Sequence, residues 1–214
     1  MLSTVTQCQN ERSFLMKQQK TSTKKQLLCL ICTLALIFSL NASPAFAGSL
    51  YPDVDDNAPW AWAVTLTTQQ GILGGDALGN FNPNAPVTRG EFAFALYQFA
   101  QTGEDAALFG LAPFADVPAD YWANSLIAWA NAKGYMSGYG NGFFGPNDPL
   151  LYEQAVVGVI HALDLAEDAM LSGGYFGGYL TTGIENGLLS DVNGVIGAPL
   201  TRAQLAILFG KAMQ

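Results

Sequence analysis

The stretch GNFNPNAPVTRGE, Gly79 to Glu91, returns further along the chain as GFFGPNDPLLYEQ, Gly142 to Gln154, and the pairing of these two segments decides how the chain is read. The same marks precede both. An acidic turn opens the first copy as Pro52-Asp53-Val54 and the second as Ala115-Asp116-Val117, a tryptophan follows at Trp60 and Trp122, and a glycine at Gly71 and Gly134. The interval from Asp53 to Gly71 equals that from Asp116 to Gly134, and the interval from Gly71 to Arg89 equals that from Gly134 to Tyr152. A third copy keeps IENGLL, Ile184 to Leu189, and TRAQ, Thr201 to Gln204, but it lacks the acidic turn, and its interval from Gly187 to Arg202 is shorter than the other two. Self-similarity of this kind outranks any single motif, because each repeat is a unit that buries its apolar face against its neighbours.

The segment upstream of the copies reads as a processing signal. Lys17, Lys20, Lys24 and Lys25 form a basic region, Leu27 to Leu40 an apolar core, and Ala45-Phe46-Ala47 a small-x-small cleavage site. Met16 competes with Met1 as the start. The apolar core is short for a membrane span, so the expectation is secretion with residues 1–47 removed and no membrane span thereafter. Cys8, Cys29 and Cys32 all precede the cut, which leaves no disulfide or thiolate chemistry downstream. Beyond residue 47 only Arg89, Lys133, Arg202 and Lys211 face 16 Asp and Glu, a formal net charge of −12. That balance excludes nucleic-acid binding by a basic surface. An anionic partner has to be held by local groups against the overall field.

Each copy reads as helix, loop, helix, six short helices in all. In the second copy Trp122, Leu126 and Trp129, widened by Ile127 and Ala130, form the stripe of a helix with one buried face. Gly134 ends it where a left-handed residue is favoured. The second helices carry Phe92, Leu96 and Phe99; Val156, Ile160 and Leu163; and Leu205, Leu208 and Ala212. Thr88 with Glu91, and Thr201 with Gln204, fit the capping box. The arginine between them opposes the helix dipole, so Arg89 and Arg202 call for a compensating role, a ligand contact, with a solvated arginine or an inter-repeat salt bridge to an aspartate turn as the alternatives.

The repeated D-V, W-A, G, G-x-F-x-P, T-R-x-E/Q pattern resembles the S-layer homology family over about residues 50 to 214. The resemblance implies an all-α fold, a pseudo-threefold trimer of helix-loop-helix repeats around a central three-helix bundle, with repeats at 48–110, 111–165 and 166–214, the third degenerate. It implies noncovalent attachment to an anionic secondary cell wall polysaccharide, often carrying ketal-linked pyruvate, bound in grooves between repeats at a bacterial cell surface. Arg89 and Arg202 match the family's arginine, whose fork suits a carboxylate. Trp60 and Trp122 match its tryptophan, a sugar platform or a core ring. Asp53 and Asp116 match the opening aspartate, which accepts sugar hydroxyls or caps the first helix, the cap being favoured. Gly75 and Gly138 allow close approach, or serve turn geometry. If each groove joins the arginine of one repeat to the aspartate and tryptophan of the next, Arg89 meets Asp116 and Trp122, and Arg202 meets Asp53 and Trp60. Tyr152, standing where the second arginine belongs, then meets the eroded third copy.

Other signals carry less. The acidic run Asp53, Asp55, Asp56, Asn57 lacks the spacing of a calcium loop, so no metal site is expected, and no cofactor. His161 is the one histidine, read as a partly buried helix residue. Carboxylate pairs such as Glu91 with Asp116 cannot be placed at a glycosidase separation from sequence. The expectation is a non-enzymatic wall-binding module, with an envelope assembly subunit and a small wall glycan hydrolase as rivals. N-terminal sequencing of the secreted protein is expected to begin at Gly48; a retained apolar segment overturns the export reading.

Overall fold

A computed structural model describes residues 49–214; the basic region, apolar core and cleavage site lie outside the described residues. These contain seven α-helices and no strand longer than an isolated bridge. They are α1 (Ala61–Gln69), α2 (Arg89–Ala100), α3 (Asn124–Ala132), α4 (Tyr152–Ala162), α5 (Ala166–Leu171), α6 (Gly177–Glu185) and α7 (Arg202–Ala212), with a 3₁₀ turn at Ala106–Phe109. The all-α expectation holds, with one helix more than six: α5 precedes the third pair. No helix among the described residues is long and apolar enough to cross a membrane.

The residue before each second-helix cap takes part in one closed cycle of backbone hydrogen bonds. Val87 N–H donates to Leu200 O (3.0 Å), Leu200 N–H to Leu150 O (2.8 Å), and Leu150 N–H to Val87 O (2.8 Å). All three side chains are fully buried. Because each buried donor is matched to a buried acceptor, the cycle leaves no orphan at the convergence point. From it run α2, α4 and α7, whose inner faces meet: Phe92 packs 6.1 Å from Phe209 between ring centroids, Phe99 5.0 Å from it, and α4 contacts both neighbours.

The first helices do not fold back on the second helices of their own copies. Instead α1 packs on α7, α3 on α2, and α6 on α4. Small residues permit the approach. A Cβ on Gly210 of α7 would stand 2.8 Å from the Trp62 ring of α1, and between two second helices one on Gly158 of α4 would stand 2.7 Å from Phe92 of α2. The buried stripe of α3 is Ala123, Ile127, Trp129 and Ala130 rather than one beginning at Trp122, which precedes the helix and is 58% exposed. On α2, α4 and α7 the expected stripes are buried at Phe92 and Leu96, Val156 and Ile160, and Leu205 and Leu208, while Phe99, Leu163 and Ala212 pack half-buried at their edge.

Helix ends follow local chemistry. Gly71, Gly134 and Gly187 have φ of 69°, 74° and 71°, and the next residue's N–H reaches back to Thr67, Ala130 and Gly183 respectively, closing each helix in a Schellman motif. Both threonine capping boxes form: Glu91 N–H donates to Thr88 Oγ1 (3.2 Å) and Thr88 N–H to Glu91 Oε2 (2.7 Å), and Thr201 and Gln204 repeat the pattern. At α4 the hydroxyl is missing and half the box survives, Leu151 N–H donating to Gln154 Oε1 (3.3 Å). In the third copy Gly178 serves close packing, since a Cβ on it would overlap the Ala169 carbonyl of α5, whereas Gly173 and Gly174 take positive φ.

Replacing Thr88 or Thr201 by Ala is expected to lower the unfolding free energy by about 0.5–2 kcal/mol, whereas Leu151→Thr is not expected to lower it. Chemical denaturation of the three variants checks this, and two neutral threonine changes would contradict the cap assignment.

Candidate functional site

The arginines are inter-repeat struts. From the first turn of α2, Arg89 donates from Nε to Phe144 O (2.8 Å), from Nη2 to Ser137 O (2.6 Å) and from Nη1 to Gln154 Oε1 (3.0 Å), all in the second copy. Its guanidinium lies over the Phe144 and Tyr139 rings at 4.4 and 4.9 Å. Arg89 is only 3% exposed. Burial pulls its pKa down, and the nearby Tyr139, Asp148 and Asp116 partly oppose this. Arg202 repeats the geometry one copy round, donating from Nε to Phe81 O (2.7 Å) and from Nη2 to Gly74 O, with its guanidinium 4.8 Å over the Phe81 ring. Carbonyl acceptors and aromatic faces supply the compensation that the helix dipole demands.

Asp53 and Asp116 cap no helix, contrary to the favoured expectation. The N-cap positions of α1 and α3 are Trp60 and Ala123, and neither helix has a side-chain cap. Each aspartate instead reaches forward to the G-x-F-x-P loop of its own copy and grips it with both oxygens. Asp53 accepts from Phe81 N–H (2.8 Å) and Asn82 N–H (2.7 Å), and Asp116 from Phe144 N–H (2.8 Å) and Gly145 N–H (2.6 Å). A carboxylate satisfies two adjacent loop donors that no helix or sheet claims. Burial raises the pKa of Asp116, but these N–H donors and Arg89 outweigh it and the net shift is downward.

Gly75 and Gly138 are required for close approach, but the approaching group is a core ring. A Cβ on Gly75 would stand 2.4 Å from the Tyr51 ring, and one on Gly138 would stand 2.5 Å from the Phe114 ring. Neither glycine is at positive φ, so turn geometry is not the reason.

Two clefts result. The first, of about 500 Å³, is walled by Ile72 to Asp76, Glu91 and Phe94, closed by Trp122 and floored by Arg202. The second, of about 410 Å³, is walled by Tyr135 to Tyr139, Gln154 and His161, closed by Tyr175 and Tyr179, and floored by Arg89. Both volumes suit a small ligand. Each cleft therefore draws its arginine from one copy, its glycine loop from the next and its aromatic rim from the one after. Each arginine reaches not the aspartate of the next copy, as expected for Arg89 with Asp116 and Arg202 with Asp53, but carbonyls of the loop that this aspartate grips, and neither aspartate lines a cleft. The tryptophan assignment is corrected: Trp122 joins Arg202 rather than Arg89, and Trp60 packs half-buried against the core outside both clefts. The interval from Asp53 to Trp60 is one position longer than that from Asp116 to Trp122, so Trp60 stands at the N-cap of α1, where the second copy has buried Ala123, while Trp122 stands one position before the N-cap of α3. At the third junction Tyr152 is buried at 7% exposure against Gly194, where a Cβ would stand 2.1 Å from its ring.

Sequence reasoning missed Tyr139, Tyr179, His161 and the cleft role of Glu91. His161 Nε2 lies 2.9 Å from Tyr179 OH, with the rings stacked at 17°, and burial lowers the histidine's pKa. Aligning the first two copies at Arg89 and Tyr152 pairs Asp76 with Tyr139 and Glu91 with Gln154, a signal that was present.

A helical repeat array with two arginine-floored, aromatic-rimmed clefts between its copies is the class of protein defined by this geometry. Within it, the S-layer homology domain is the family whose pattern matches residues 50–93 and 113–156. The chain is similar to a "Cell surface protein" of Thermoanaerobacter kivui, 34% identical over 193 residues, covering 89% of this chain and 24% of that protein. It is similar to the "Surface-layer 125 kDa protein" of Lysinibacillus sphaericus, 30% identical over 166 residues, covering 71% and 14%. A "Cellulosome-anchoring protein" of Acetivibrio thermocellus is 29% identical over 120 residues, covering 53% and 26%. The chain thus spans about a quarter or less of the length of these relatives.

Asp116→Ala is expected to lower the unfolding free energy by about 1.5–3 kcal/mol, the scale of hydrogen bonds to a charged group. Because the folded-state pKa of Asp116 is depressed, its contribution is present above the unfolded value of about 4 and is lost as pH falls through the folded one. Urea denaturation at a series of pH values should show stability decreasing on acidification, with a shallower decline in Asp116→Ala.

Proposed function

We propose that this chain is a non-enzymatic anchoring module of the bacterial cell surface. It holds a secondary cell wall polysaccharide in the two clefts, with Arg89, Arg202 and Trp122 as the groups nearest the ligand, and Asp53, Asp116, Gly75 and Gly138 shaping the walls. The polymer is anionic, its charge carried by carboxylates such as ketal-linked pyruvate. Three helix pairs, the third degenerate, stand about a pseudo-threefold axis through the Val87, Leu150 and Leu200 cycle. The observation that carries the reading is Trp122, which lies 58% exposed over an arginine-floored cleft with Phe94 beside it at 6.4 Å. An exposed indole edge above a polar cleft is the arrangement that stacks a sugar face and donates one N–H. The similarity to a cellulosome-anchoring protein and to a surface-layer protein supports the reading.

Purified sacculi decide between this reading and its rivals. The protein is expected to co-sediment with sacculi and to remain in solution once the polysaccharide has been extracted from them. Trp122→Ala is expected to weaken that binding by about 0.5–1.5 kcal/mol, roughly two- to tenfold, with unchanged thermal stability because the ring is exposed. Equal sedimentation with extracted sacculi would favour the assembly-subunit reading. Clearing of the same material in a zymogram would favour the hydrolase.

A further inference from the structure

Asparagine is followed by glycine three times in the chain, at Asn141-Gly142, Asn186-Gly187 and Asn193-Gly194. Such a pair carries a latent reaction, because a glycine nitrogen, unhindered by a Cβ, can attack the carboxamide carbon of the asparagine before it. The fold treats the three pairs differently. Asn186 closes α6, with Nδ2 donating to Thr182 O (2.9 Å) and the Gly187 N–H donating to Ile184 O (3.0 Å), so both the leaving group and the nucleophile are engaged in the helix end. Asn193 donates from Nδ2 to Asp191 O (3.2 Å), and Gly194 is held beneath the Tyr152 ring, which leaves its backbone no room to swing.

Asn141 is placed otherwise. It is the exposed tip of a loop closed by Tyr139 N–H donating to Phe143 O (2.9 Å). Gly140 and Gly142 flank it at φ of 84° and 85°, and a Cβ on either would meet nothing within 4 Å, so the tip has both conformational freedom and open access to water. Phe143 N–H donates to Asn141 Oδ1 (3.1 Å), whereas Asn141 Nδ2 and the Gly142 N–H have no acceptor among the described residues. The donor therefore sits on the oxygen where negative charge develops when a nitrogen adds to the carboxamide, and both the nucleophile and the leaving group are free. In the first copy Leu78 stands at the equivalent place, and the N–H equivalent to that of Phe143, on Asn80, goes to Asp76 instead. Asn141 lines neither cleft.

We infer that Asn141 is a self-modification site, converting to aspartate and isoaspartate ahead of the other two pairs. The Gly142 nitrogen, its proton taken up by solvent base, forms a bond to Cγ of Asn141. The Cγ–Nδ2 bond then breaks, and Nδ2 takes a proton from solvent and leaves as ammonia. Water opens the resulting cyclic imide at one of its two carbonyls. Attack at Cγ restores the ordinary peptide and leaves an aspartate; attack at the main-chain carbonyl leaves an isoaspartate, whose backbone runs through Cβ and Cγ. No electrons are transferred, and water is the one co-reactant. Both products add a negative charge to the loop, and isoaspartate also lengthens the main chain between Tyr139 and Phe143 by one carbon.

The test incubates the purified, folded protein in mildly alkaline buffer over days. Peptide mapping by mass spectrometry follows each pair separately, enzymatic methylation counts isoaspartate, and released ammonia is measured alongside. Asn141 is expected to convert at least about tenfold faster than Asn186 or Asn193, the scale of one hydrogen bond to a developing oxyanion. In urea, where the fold no longer protects two of the pairs, the three rates are expected to converge. Asn141→Gln is expected to remove the fast phase of ammonia release, because the longer side chain must close a larger and slower ring, with an unchanged melting temperature because the tip is exposed. Equal rates at the three pairs in the folded protein, or a faster rate at Asn186 or Asn193, would overturn the inference. So would a fast phase that survives Asn141→Gln, or a lead for Asn141 that persists undiminished in urea, since local sequence and not the fold would then set the rate.

Discussion

Three backbone hydrogen bonds in a ring, Val87 to Leu200 to Leu150 and back, are the constraint on which the rest of the fold depends. Each ties the start of one second helix to the start of another, so the directions of α2, α4 and α7 are set together. A single copy cannot satisfy any of them. The same interdependence recurs in the packing, where every first helix lies against the second helix of a neighbouring copy. The copies are therefore folding partners rather than beads, as expected when a repeat is too small to bury its own apolar face.

Just beyond the ring, the guanidinium converts that closure into clefts. Arg89 and Arg202 leave the first turn of their helices, where their charge is out of place, and cross to the carbonyls of the next copy's loop. That loop is presented by the aspartate gripping it from far upstream and by an aromatic ring that fits only against glycine. Arginine, aspartate and glycine thus form one device: the loop is shaped by the aspartate, seated by the glycine and locked by the arginine. Where arginine gives way to Tyr152, the ring packs on Gly194 and the junction is filled with side chain.

A guanidinium used in this way still carries its charge, and what stands opposite decides what that charge does. Glu91 stands 3.9 Å from it in one cleft, whose wall also carries Asp76. In the other a tyrosine and a glutamine occupy the corresponding places. A single architecture thereby presents two electrostatic surfaces, in a domain whose overall field repels anions. The capping residue is the economical place to make the difference, because glutamate and glutamine serve the cap equally while differing by a full charge.

The helices, their caps and their ends were legible in the sequence because they rest on local chemistry. Glycine at the C-terminus, the Thr-x-x-Glu/Gln box and the apolar stripes of α2, α4 and α7 act within a few residues of themselves. The register between copies pointed each arginine toward the aspartate of the next copy, and the side chain stops at the loop carbonyls that this aspartate holds. Local pattern failed where a side chain answers to something far away: Asp53 and Asp116 read as helix caps, yet their partners are loop N–H groups well beyond the first helix. Trp60 and Trp122 read as equivalents, yet a difference of one position in spacing sends one toward the core and the other over a cleft. Periodicity reports which face of a helix is apolar. Only the tertiary structure decides which neighbour that face meets, and so which arginine, ring and carboxylate share a cleft, because those contacts join copies that lie far apart along the chain, as Arg202 does from Phe81.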